Sequence, residues 1–108
     1  MAASKKRSIR LKKIIDAETP VRCSIGYGFI REEVWQDRSG KVVRFNLAFI
    51  NPFLFTRDNG RVLGYDNAHG YLHRHFAGEM QAVEPAVYNE LRDRFIEEVA
   101  QLRRKKKL

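Results

Sequence analysis

All three histidines of the chain, His69, His73 and His75, fall within seven positions, beside Tyr65, Asp66, Asn67 and Arg74. Residues 61–76 read Arg-Val-Leu-Gly-Tyr-Asp-Asn-Ala-His-Gly-Tyr-Leu-His-Arg-His-Phe. Alternate side chains of an extended segment share a face, so His73 and His75 project together, with Arg74 turned the other way. Tyr65, Asn67 and His69 alternate likewise if the strand before them continues that far. Three chemistries fit such a set. Metal-independent RNA cleavage needs a base for the 2′-hydroxyl proton, an acid for the leaving oxygen and a cation for the phosphorane charge. His73 and His75 would supply the acid and base, Arg74 the cation, and no cofactor is called for. A metal site is the second: His-x3-His-x-His with Asp66 offers donors for zinc, although the spacing matches no established zinc pattern. The third is a polar loop in which Asp66 and Asn67 make a turn and the histidines bond the backbone.

Positioning these residues requires strands on either side. Gly64 and Gly70 permit bends or a close approach. Arg61 begins a strand with Val62 and Leu63 that runs to Tyr65. Before it, Phe53-Leu54-Phe55 is a short apolar run closed by the turn Asp58-Asn59-Gly60. Residues 41–50 form a strand whose Val43, Phe45, Leu47 and Phe49 alternate onto one face. The turn Asp37-Arg38-Ser39-Gly40 joins it to an earlier strand over residues 22–36, where Gly26 and Gly28 predict a close backbone approach or a bulge. The adjacent acids Glu32, Glu33 and Asp37 read as a solvated edge. Residues 8–17 fit neither the helical nor the strand period, and Thr19-Pro20 should end this arm.

A meander of three to four antiparallel strands needs a cover, and the C-terminal segment provides one. Val87, Tyr88, Leu91, Phe95, Val99 and Leu102 form one stripe of an amphipathic helix, with Pro85 expected at its first position. The fold class is therefore α+β, an antiparallel sheet with this helix packed on one face. A single domain over residues 14–104 is expected, flanked by a basic, disordered arm (1–13) and a basic tail (105–108).

The net charge of +8 resides in the ends. Residues 1–13 hold six Lys/Arg and no acid, residues 103–107 hold five more, and the rest carries ten bases against thirteen acids. Such ends attract polyanions through counterion release without specifying one. With 44% apolar residues and 12 aromatics the chain suits a folded domain. It contains no apolar run of membrane-spanning length and no secretory h-region. Cys23 stands alone, which excludes an internal disulfide and favours a small buried side chain in a cytoplasmic protein. No Walker loop, dinucleotide fingerprint, serine elbow or zinc-protease helix is present.

Arg61-Val62-Leu63-Gly64-Tyr65-Asp66-Asn67 followed by His73-Arg74-His75-Phe76 resembles the TumE-type proteins, small bacterial toxins encoded beside a helix-turn-helix antitoxin. The resemblance covers about residues 40–104 and leaves out His69 and the basic arm. It implies a growth-inhibiting toxin directed at RNA and neutralised by a protein antitoxin, with Tyr65, Asp66, Asn67, His73 and His75, and with them Arg74, as site residues. The competing reading is a non-catalytic module whose basic ends bind nucleic acid or a protein while the histidines are structural. Edge strands in so small a sheet also suggest a homodimer.

Overall fold

The computed structural model describes residues 10–108. The frayed tail expected for residues 1–7, and most of the basic arm, lie outside that span. Among the described residues the chain makes six strands and one α-helix: β1 (Lys12–Arg22), β2 (Tyr27–Gln36), β3 (Val42–Ile50), β4 (Arg61–Asp66), β5 (His73–Phe76), β6 (Glu79–Ala82) and α1 (Tyr88–Leu102). Every strand pairs antiparallel with the next in sequence. The α+β class, the meander and the C-terminal helix agree with expectation; the sheet is wider than the three to four strands predicted.

The additional strands carry no apolar alternation. β6 is exposed at all four positions, and β1 at nine of eleven, so neither shows a hydrophobic period. β1 begins at Lys12, inside the segment expected as a disordered arm, and continues through Pro20. It is outermost among the described strands, where a missing N–H leaves the ladder intact. The segment predicted as one strand over residues 22–36 is instead broken at residues 23–26, where β1 turns into β2.

The expected close approach does occur. A Cβ on Gly28 would lie 2.8 Å from the Ile50 carbonyl oxygen, and one on Gly26 (φ +61°) would strike the Phe53 ring. Cys23 is half-buried against the core, its Sγ 3.4 Å from the Val21 carbonyl. Phe53-Leu54-Phe55 forms a turn. Buried Asn51 organises it, accepting from the Phe53 and Leu54 amides at 2.9 and 3.2 Å and donating to the Ile25 carbonyl at 3.0 Å.

Phe45, Leu47, Phe49, Leu63 and Tyr65 bury one face of the sheet under Leu91, Phe95, Val99 and Leu102 of α1. Each fully buried aliphatic or Phe side chain contributes about 1.5–3 kcal/mol of transfer free energy, so this stripe is the main support of the helix. The helix starts at Tyr88, three residues after Pro85, because Val87 is still extended (φ −70°, ψ 148°) and serves as its N-cap. Two Tyr–Glu–Arg groups fasten it. Glu32 of β2 accepts from Tyr88 and, at 2.7 Å, from Arg92. Glu98 accepts from Tyr65 of β4 and Arg74 of β5. Burial opposes ionisation of Glu32, but the Arg92 and Tyr88 hydrogen bonds outweigh it and hold the carboxyl below its ordinary value. Burial, reinforced by Glu98, raises the Tyr65 phenol above its usual value. At the far end, the Ser24 amide donates to the Arg103 carbonyl at 2.8 Å and satisfies part of the helix terminus.

Candidate active site

The β4–β5 register sorts the predicted site residues onto two faces. Asp66 pairs with His73, Tyr65 with Arg74 and Gly64 with His75. Cross-strand partners share a face, so Asp66, His73 and His75 stand together on the side away from α1, and Tyr65 and Arg74 stand under the helix. The shared projection of the two histidines is as the spacing predicted.

On the uncovered face the Asp66 carboxylate lies between the two imidazoles. Its Oδ2 is 2.9 Å from His75 Nε2, and its Oδ1 is 3.6 Å from His73 Nδ1. Asp66 Oδ1 also accepts from the Ala68 amide at 3.1 Å, which ties the carboxylate to the turn that follows. The other nitrogen of His75, Nδ1, is 3.2 Å from Arg61 Nη2. A guanidinium only donates, so Nδ1 presents its lone pair to Arg61, and Nε2–H is the donor to Asp66. One tautomer of His75 satisfies both contacts. His73 is only 2% exposed, and its Nδ1 is a buried nitrogen without a hydrogen-bond partner. The Tyr71 ring packs on His73 at 4.1 Å between centroids, with His75 at 6.2 Å and His69 at 6.4 Å.

Arg61 reaches this face because of a β-bulge. Phe49 pairs with Leu63 but Ile50 pairs with Arg61, so Val62 is an extra residue in β4. Strict alternation would place Arg61 with Leu63 and Tyr65 beneath the helix; the bulge turns it toward Gly64 and Asp66. Asp58 Oδ2 accepts from Arg61 Nε at 2.9 Å. Gly64 leaves the space the arginine stem occupies, since a Cβ there would stand 3.0 Å from Arg61 Cδ. Arg61, Asp66, His73 and His75 line a cleft of about 330 Å³ together with Glu33, Trp35, Arg44 and Met80.

The remaining candidates are placed elsewhere or used otherwise. Arg74 bonds Glu98 and Tyr65, so the cation beside the histidines is Arg61. The Asn67 side chain bridges to β3, its Oδ1 accepting from the Phe45 amide and its Nδ2 donating to the Val43 carbonyl, both at 3.0 Å. It extends the β3–β4 ladder by one step and does not touch an imidazole. β4 ends at Asp66, and residues 68–70 form a 3₁₀ turn in which His69 has φ +66°. Tyr65, Asn67 and His69 therefore share no strand face, but His69 still lines the cleft. Among the described residues no three His, Cys, Asp or Glu side chains converge as a metal site requires.

The chain matches no family model, no curated protein and no solved structure.

Arg61, Trp35 and Arg44 are among the cleft residues that the sequence did not single out, and Glu33, expected on a solvated edge, lines the cleft as well. Trp35 and Arg44 come from β2 and β3, and only pairing across the sheet brings them to the histidines. Arg61 was legible only as a strand start, because a bulge leaves no mark in hydrophobic alternation when both Val62 and Leu63 are buried.

Proposed function

We propose that this protein is the toxin of a bacterial toxin–antitoxin pair and cleaves RNA without a metal at the Asp66–His73–His75 cleft. The observation that carries the chemistry is the Asp66 carboxylate set between two histidines, with Arg61 on the outer nitrogen of one. The toxin assignment rests on the resemblance of residues 61–67 and 73–76 to the TumE-type proteins, which also makes a helix-turn-helix antitoxin the expected partner.

In this reading an arriving phosphate draws Arg61 away from His75 Nδ1. The freed lone pair takes the 2′-hydroxyl proton, and Asp66 stabilises the resulting imidazolium through its Nε2–H, the logic of a carboxylate-oriented histidine base. The 2′-oxygen forms a bond to phosphorus as the P–O5′ bond breaks. Protonated His73, its Nδ1 facing Asp66, gives the Nε2 proton to O5′, leaving a 2′,3′-cyclic phosphate and a free 5′-hydroxyl. Arg61 stabilises the charge on the non-bridging oxygens. Tyr65 and Arg74 act through the fold, because their polar ends are committed to Glu98.

The test is growth after induced expression of the wild type and of a His73→Ala/His75→Ala double variant, with total RNA examined for new 5′-hydroxyl ends. Arrest and cleavage by the wild type alone support the reading; arrest by the double variant sinks it. One observation favours a second reading, a non-catalytic binding module: both ring nitrogens of His75 are already engaged. That reading expects the double variant to retain binding and any cellular effect.

A further inference from the structure

Trp35 on β2 lies between two cations supplied by its cross-strand neighbours. Lys13 Nζ stands 5.1 Å from the ring centroid, and Arg44 Cζ stands 4.9 Å from it. The two cations differ in what else holds them. Lys13 is bound to Asp16 and Glu33 at 3.1 and 2.9 Å. Arg44 makes no ion pair among the described residues, so its charge is uncompensated and its guanidinium is held by the indole alone.

Arg44 also stands where two cavities meet. With Ala68 and His69 it lines both the histidine cleft and a neighbouring cavity of about 480 Å³. Leu11 lines that second cavity and a third, of about 380 Å³, flanked by the bases Arg10, Lys12 and Arg38 and by one acid, Asp37. None of these three bases makes an ion pair among the described residues. Basic side chains without ion pairs among the described residues thus lead from the histidines over Arg44 to the N-terminal end of β1, with Glu33 and Asp66 in the cleft and Asp37 beside Arg38 as the acids along the way. On the rest of the uncovered face the cations are neutralised: Arg31 binds Asp16, Glu18 and Glu33. The path is therefore narrow. A duplex presents phosphates on two sides and would also meet Asp16 and Glu18, whereas one extended strand on the path passes Glu33 alone of that cluster, already paired with Lys13 and Arg31.

We infer that this path is a binding groove for single-stranded RNA, with a backbone phosphate on Arg44 and the strand running from the histidine cleft toward Arg10, Lys12 and Arg38. This rests on the RNA-directed reading and adds the form of the substrate, its course and the residue that anchors it. Trp35 is a positioning residue: it keeps Arg44 flat and extended over the sheet, which lowers the ordering cost on binding.

Because Trp35 is the only tryptophan, its emission reports on Arg44 directly. The probe is a 2′-O-methyl RNA strand of about ten nucleotides, which binds but lacks the nucleophile. Titration into the full chain should change Trp35 emission saturably. Arg44→Ala should weaken binding about tenfold and reduce the slope of log K against log salt by about 0.7, the loss of one phosphate contact. The inference is overturned if Arg44→Ala leaves affinity and salt slope unchanged, if emission stays constant at saturation, or if a poly-glutamate peptide or the same sequence as a duplex binds as tightly. Cleavage of unmodified RNA is scored separately. Arg44-dependent binding without cleavage supports the groove and removes the enzymatic reading, and cleavage without Arg44 dependence does the reverse.

Discussion

His75 Nε2 lies 2.9 Å from Asp66 Oδ2, across one strand pair and one diagonal step of the register. With Arg61 on the opposite ring nitrogen, this contact fixes both the orientation and the tautomer of the imidazole. Replacing Asp66 by Asn removes the negative charge and one of the two acceptor oxygens while keeping the shape. We expect RNA cleavage to fall about 10²–10⁴-fold, the usual range for an impaired acid–base group. Nitrogen chemical shifts of His75 should report protonated Nε2 in the wild type and a mixed tautomer in Asp66→Asn. An unchanged tautomer with unchanged activity would remove Asp66 from the mechanism.

The two arginines nearest the histidines in sequence and in space should separate cleanly. Arg61→Ala is expected to lower cleavage about 10²–10³-fold, as loss of one charge-stabilising donor does, with a small change in melting temperature. Arg74→Ala should destabilise the fold by about 1–3 kcal/mol, because Glu98 and Tyr65 lose their partner beneath the helix. Its activity per folded molecule should stay near that of the wild type. Rates normalised to the folded fraction distinguish the two, and the opposite pattern would return the catalytic cation to Arg74.

Asn67→Ala tests whether that amide serves the ladder or the histidines. It bonds two backbone groups of β3, so its loss should cost about 1–3 kcal/mol in urea unfolding. Cleavage by the remaining folded protein should be unaffected. Asn67→Asp should be worse than Ala, since it places a carboxylate against the Val43 carbonyl.

Stability should fall as acid reaches the helix clip. The Glu32 carboxyl is held below its ordinary value of 4.5. Its contribution is full above that value, the unfolded one, and is lost as the pH falls through the lower, folded one. Urea midpoints measured downward from about pH 6 should therefore decline below about pH 4.5. In Glu32→Gln the decline should be shallower; Glu33 is also depressed, through its Lys13 bond first, and accounts for part of the remainder. An identical pH dependence in the variant would show that Glu32 does not contribute.

Gly28→Ala offers a check on the backbone approach between β2 and β3. The added methyl meets the Ile50 carbonyl oxygen at 2.8 Å, and a carbonyl within a paired strand has little freedom to move. A loss of about 1–3 kcal/mol is expected, typical of overpacking. Gly40→Ala meets nothing within 4 Å, but its φ of +89° adds strain, so a milder loss there separates crowding from conformation.

The sequence by itself determined the α+β class, the meander and the amphipathic cover, because alternation in residues 43–49 and a helical stripe through residues 88–102 each leave one burial solution. It also determined that His73 and His75 project to one side, since two residues separated by one position on a strand share a face. The tertiary structure alone decided the width of the sheet, because β1 and β6 bury too little apolar surface to show a period. It decided as well which cation joins the histidines. Arg74 is adjacent in sequence but is turned by strand alternation beneath the helix, and Arg61 is twelve residues or more away but is rotated into the cleft by the extra residue Val62. Local periodicity is set by contacts along the chain. The make-up of the cleft is set by register between strands, and register is a property of the assembled sheet.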